Sequence, residues 1–174
     1  MFCIFNSLFL SDSKSVINLA RKFHEFNSSD SGFEADSKRI FEAARQSKIV
    51  VLISELIMEE LRFAPEQVQE LVRKIPRNAL ELVSINSDVL DLRSAYLKAK
   101  ILGAKSRNDA THVDAATTAR ADAIISWNFK HIVRLDKMKG FNRVNFEFGY
   151  SNLIIINPKE FYLDEEEGEN FGRA

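Results

Sequence analysis

The chain has 174 residues, of which 45% are apolar and 28% charged, with a formal net charge of −1. That composition fits one globular domain with a sizeable core, and a balance so near neutrality argues against a protein whose whole surface grips nucleic acid. A lone cysteine, Cys3, excludes an intramolecular disulfide and a cysteine-built zinc cluster, and no apolar run reaches the ~20 residues that span a bilayer.

The first apolar stretch, Phe2 to Leu10, is short, has no basic lead-in and is broken by Asn6 and Ser7, so it does not read as a secretory signal. A cytoplasmic protein with no membrane association is the expectation. Within that stretch Phe2–Phe5 reads as a strand. Val16, Ala20 and Phe23 then fall on one helix face, and Asn27 to Gly32 is a loop rich in small polar residues. Phe33, Ile40, Phe41 and Ala44 share a second helix face. The strand Ile49–Ile53 follows, then the first helical turns of Ser54 to Leu61. A third face, Val68, Leu71, Val72 and Ile75, starts at Pro65 and stops before Pro76. Beyond it come the strand Leu82–Ile85, helices marked by Val89, Tyr96 and Leu97 and by Val113, Ala116 and Thr117, and the strands Ala123–Ser126 and Leu153–Ile156.

Short apolar strands alternating with helices predict an α/β fold with a mainly parallel central sheet, packed as a three-layer α/β/α sandwich. A single domain over residues 1–163 is expected, followed by a tail, 164–174, that holds five acids against the one base Arg173 and reads as disordered. Ligands of such folds gather beyond the carboxyl ends of the strands.

Three polar side chains can reach that rim. Glu60 lies in the helical turns after the strand Ile49–Ile53, Asp109 at the start of a helix, and Asn128 just past the strand Ala123–Ser126. Carboxylates gathered at one rim repel unless a hard cation lies between them, and oxygen ligands suit Mg²⁺ or Mn²⁺. The structural alternatives are equally concrete. Ser106 to Asp109 has the form of a capping box, and Glu59 and Glu60 are adjacent, so one of them faces solvent. His112 reads as a hydrogen-bonded, half-buried histidine, Asp114 as solvent-facing, and Trp127 and Phe129 as core anchors. Basic residues cluster after each polar segment, as Lys98, Lys100, Lys105 and Arg107 and as Lys130, Arg134, Lys137, Lys139 and Arg143. The chain has no phosphate-binding glycine loop and no GxSxG nucleophile elbow.

These segments resemble the PIN-domain nucleases, and among them the VapC-like proteins of bacteria and archaea. Asn108-Asp109-Ala110-Thr111-His112-Val113 is similar to that family's N-D-A-x-H segment, and Ser126-Trp127-Asn128-Phe129-Lys130-His131-Ile132-Val133 to its T-W-N-F-K-H segment. Ser54 to Leu61 with Ala64-Pro65-Glu66 resembles its S-E-L-x-x-E-E-L stretch, and the resemblance covers about residues 33 to 161. It implies a Mg²⁺- or Mn²⁺-dependent endoribonuclease, the toxin-like half of a toxin–antitoxin pair. RNA, an antitoxin protein and a second copy of the chain are the implied partners. The family's second acid falls on Glu60, its third on Asp109 and its fourth position on Asn128, with Glu60 and Asp109 holding the metal. The family's first acid ends its first strand; here Asn6 takes that place, or, in another register, Asp12. A neutral Asn6 opens the alternative of a degenerate PIN module that binds RNA or a protein and cuts nothing.

Overall fold

The computed structural model describes residues 14–18, 31–103, 106–129 and 131–163, with 14–18 and 31–34 described by their backbone. The expected strand Phe2–Phe5, with Asn6 and Asp12, lies outside the described residues, as do Lys105, Lys130 and the acidic tail. Among the described residues five parallel strands form one sheet in the order β3-β2-β1-β4-β5, where β1 is Lys14–Asn18, β2 Val50–Ser54, β3 Leu80–Val83, β4 Ala123–Ser126 and β5 Ile154–Ile156. The helices are α1 (Ser31–Arg45), α2 (Glu55–Arg62), α3 (Glu66–Arg73), α4 (Ser87–Lys98), α5 (Arg107–Thr118) and α6 (Leu135–Glu147).

Two expectations are corrected here. Val16 belongs to a strand and not to a helix face, because Lys14–Asn18 pairs with β2 on one side and β4 on the other. Ser31 and Gly32, read as loop, already form the start of α1. The remaining strands fall within two residues of the expected positions, since short β-branched runs bounded by polar residues are strong signals in a parallel sheet.

Each described residue of β4 is buried, as are four of the five in β2, so these strands are covered on both faces. Ile40, Ile49, Leu52 and Ile57 are among the largest fully buried side chains, each worth roughly 1.5–3 kcal/mol relative to exposure. Helix α5 packs closely on α4, and α4 on α6. There Tyr96 meets Phe141 edge to face, with centroids 5.0 Å apart and planes at 74°. Gly140 lets α6 approach Ile101, since a Cβ there would stand 3.2 Å from two Ile101 carbons. Helix α6 ends at Glu147, and the chain turns away at Gly149, whose φ of 78° suits glycine; Tyr150 N–H bonds Asn145 O at 2.8 Å and Gly149 N–H bonds Phe146 O at 3.1 Å.

The strand order places β2 and β3 on one side of β1 and β4 and β5 on the other. The chain therefore changes direction of travel between β1 and β4, and such a switch point leaves a crevice at the carboxyl edge of the sheet.

Candidate functional site

Glu60, Asp109 and Asn128 are all placed by elements that leave this edge. Strand β2 ends at Ser54, whose hydroxyl caps α2 by accepting the Ile57 N–H at 3.3 Å. That cap sets the rotation of α2 so that Ile57 and Glu60 face inward. Glu60 is 7% exposed whereas Glu59 is exposed, which resolves which of the adjacent acids faces the protein. Strand β4 ends at Ser126, whose hydroxyl accepts the Asn128 N–H at 3.0 Å. The Asn128 carbonyl accepts the N–H groups of Ile132 and Val133, each at 3.0 Å, closing a compact turn.

Within that turn the Asn128 side chain is used at both ends. Its Oδ1 accepts the His131 N–H at 3.1 Å, and its Nδ2 donates to Asp109 Oδ1 at 3.0 Å. Asp109 stands in the first turn of α5, where the positive end of the helix dipole favours a carboxylate. The expected Ser106 cap is not made: the Ser106 side chain forms no cap hydrogen bond, and its Oγ lies 3.5 Å from His131 Nδ1. His112, one turn beyond Asp109 and on the same side of α5, is fully buried with Nε2 3.5 Å from Glu60 Oε1. The buried imidazole of α5 thus lies against the acid of α2, with no hydrogen bond between the two. Sequence reading gave His112 no such neighbour, because Glu60 lies far away in the chain.

Glu60 of α2 and Asp109 in the first turn of α5 are both buried carboxylates. Among the described residues no group of three or more His, Cys, Asp or Glu is arranged around one point, and Asn128 spends both polar ends on Asp109 and His131. Carboxylate oxygens are the donor type that Mg²⁺ takes, since it keeps most of its waters and binds through one or two protein carboxylates plus substrate phosphates.

A second polar cluster lies deeper in the fold. The Tyr96 hydroxyl donates to Asn145 Oδ1 and lies 3.2 Å from Thr117 Oγ1, and Asn145 Nδ2 donates to Thr117 Oγ1 at 3.3 Å. Burial pushes the Tyr96 hydroxyl well above its usual range, so it stays a neutral donor. Asp114, expected at the surface, is fully buried, and no side chain hydrogen-bonds either of its oxygens among the described residues. Burial raises its pKa well above the ordinary value of 3.8, against the smaller opposing pulls of the Ala115 backbone N–H and the Arg93 guanidinium. Trp127 is the anchor expected, buried with its indole N–H on Ser37 Oγ at 3.1 Å, while Phe129 is 46% exposed.

The basic residues beyond Asn128 are largely engaged locally. Arg134 makes two 2.9 Å hydrogen bonds to Asp136, Lys137 donates to the Ile101 carbonyl, and Arg143 lies 4.0 Å from Glu147.

The family model for the PIN domain matches residues 5–130, a span that includes β1, Glu60, Asp109 and Asn128. The chain belongs to the PIN-domain family, a class of α/β proteins with nuclease activity that commonly bind RNA and depend on divalent metal. No curated protein and no solved structure matches the chain. Among the described residues no helix is long and apolar enough to cross a membrane.

Proposed function

We propose that the protein is a metal-dependent endoribonuclease and the toxin-like half of a toxin–antitoxin pair, acting in the cytoplasm. The observation that carries this reading is the Asp109–Asn128 hydrogen bond at the switch point, with Glu60 brought to the same helix through His112. Helices over both faces of the sheet complete a three-layer sandwich, a packing supported by the full burial of β4.

Glu60 and Asp109 would hold Mg²⁺ or Mn²⁺. When bound, such an ion polarises the scissile phosphate and activates the attacking water near neutral pH. Asn128 fixes the rotamer of Asp109, His112 packs against Glu60, and both act without touching the phosphate. Arg107, exposed in the first turn of α5, and Lys139, exposed on α6, hold the RNA backbone. An antitoxin protein and a second copy of the chain are the proposed protein partners. Exposed apolar residues such as Phe63 and Leu82, the latter on the edge strand β3, offer surface for such contacts.

The test is cleavage of single-stranded RNA. Activity should vanish in EDTA, return with Mn²⁺ or Mg²⁺, and be lost in Glu60→Gln; full activity in chelator sinks the mechanism. A second reading, an RNA- or protein-binding PIN module that cuts nothing, is favoured because no group of three or more His, Cys, Asp or Glu that could hold a metal is found among the described residues. RNA binding without cleavage at any metal concentration would select it.

A further inference from the structure

Helix α4 carries a row of four side chains, Asp91, Ser94, Ala95 and Lys98, whose three- and four-residue steps set them one above the other. Asp91, Ser94 and Lys98 are exposed and Ala95 is half-buried, whereas Val89, Leu92 and Tyr96 of the same helix are buried. With Val144 and Phe148 the row lines a groove of about 560 Å³ between α4 and the end of α6, and Phe148 is 48% exposed there. Among the described residues neither Asp91 nor Lys98 has an ion-pair partner. Glu147, also in the groove, lies 4.0 Å from Arg143 of its own helix and is offset by it.

We propose that this row is the face on which two copies of the chain pair, with their α4 helices antiparallel across a two-fold axis between Ser94 and Ala95. This rests on the proposed pairing of copies, gives it a surface, and is independent of whether the protein cuts RNA. Asp91 and Lys98 stand two turns apart, about 10 Å along the helix, and the midpoint of that interval falls between Ser94 and Ala95. Turned about this midpoint, a second α4 sets its Lys98 opposite Asp91 and its Asp91 opposite Lys98. The row is complementary to itself, as an isologous interface demands. Its centre holds two small side chains, which lets the helices approach to the short end of the ~8–10 Å range of packed helices. Covering the groove takes the exposed part of Phe148 out of water, and that burial drives association. The two reciprocal ion pairs fix the register and reject a parallel arrangement, in which Asp91 would meet Asp91. RNA is a poor occupant, because Asp91 and Glu147 would face its phosphates.

The experiment is sedimentation equilibrium of the full chain. Asp91→Lys and Lys98→Asp should each weaken self-association by about tenfold or more, because either reversal sets like charges opposite one another at both contacts of the dimer. An equimolar mixture of the two variants should associate about as tightly as the unaltered chain, since each then meets the opposite charge at both contacts. Only antiparallel pairing through these two positions gives that recovery. Leu82→Glu, at an exposed position on the edge strand β3, should change nothing. Reversed variants that still pair at full strength, or a mixture that does not recover, overturn the face; loss of pairing in Leu82→Glu alone moves it to the sheet edge and does the same. Should either reversed variant fail to fold, Ser94→Arg decides. It sets two cations against each other at the axis and should abolish pairing, and pairing at unaltered strength overturns the proposal. An unaltered chain that stays monomeric at every concentration overturns the pairing of copies itself, a failure distinct from that of the face, in which the chain pairs and the reversals leave it unmoved.

Discussion

Helix α5 carries two buried acids in opposite circumstances. Asp109, in the first turn, has an amide donor from Asn128 at 3.0 Å and opens on the sheet edge. Asp114, less than two turns on, is enclosed, has no side-chain hydrogen-bond partner among the described residues, and has its pKa raised by burial. Burial of a carboxylate is thus no sign of function by itself. What separates the two is the set of groups the fold spends on each: Ser126, the turn after β4 and the dipole of α5 all converge on Asp109, while Asp114 is left to stay neutral.

The sharpest way to break this contrast is to neutralise each acid in turn. Asp109→Asn should lower metal-dependent RNA cleavage by at least about a hundredfold, the scale of a lost charge at a metal-activated phosphate. Asp114→Asn should leave activity within about twofold. Equal losses in single-turnover assays would erase the distinction.

A smaller effect is expected in the interior cluster behind Asp114. Asn145→Ala removes the acceptor of the Tyr96 hydroxyl and a donor to Thr117. Leaving such groups buried and unserved costs about 1–3 kcal/mol, readable as a lower urea midpoint with metal-dependent activity per folded molecule intact.

The smallest and most diagnostic effect concerns pH. The folded state raises the Asp114 pKa above its unfolded value near 3.8, so the favourable contribution of its protonated form is complete below that value and is lost as pH rises through the folded pKa. Asp114→Asn removes this dependence. The melting temperature of the variant should exceed that of the parent by a growing margin from acid toward neutral pH, about a few degrees by pH 7. A margin that is flat with pH would mean that Asp114 finds a partner in solution.

Most of the sheet is readable because β2 through β5 are compact apolar runs. Strand β1 escapes this reading because Lys14-Ser15-Val16-Ile17-Asn18 contains two apolar residues among five, and Val16 falls in helical step with Ala20 and Phe23. Local pattern points to a helix, and only pairing with two neighbouring strands overrides it. Helix α6 is hidden in the same way by charge, its inward positions Phe141 and Val144 being embedded in lysines, arginines and asparagines. At the site, the residue types of Glu60, Asp109 and Asn128 and their places after strands are legible. Their mutual contacts are not, since Asn128 meets Asp109 across 19 positions and Tyr96 meets Asn145 across 49. Asp114 misleads because α5, rich in Ala and Thr, looks one-sided, whereas every residue from Asp109 to Thr117 is buried.

Asn128 works as a two-ended strut between α5 and the turn that leads toward α6. For anyone regrafting this scaffold, that makes the loop after β4 a poor place to cut or lengthen, although such loops are ordinarily the tolerant parts of an α/β protein. Any insertion between Asn128 and Val133 swings the amide that holds Asp109, so a change of loop length there is in effect a change of the site.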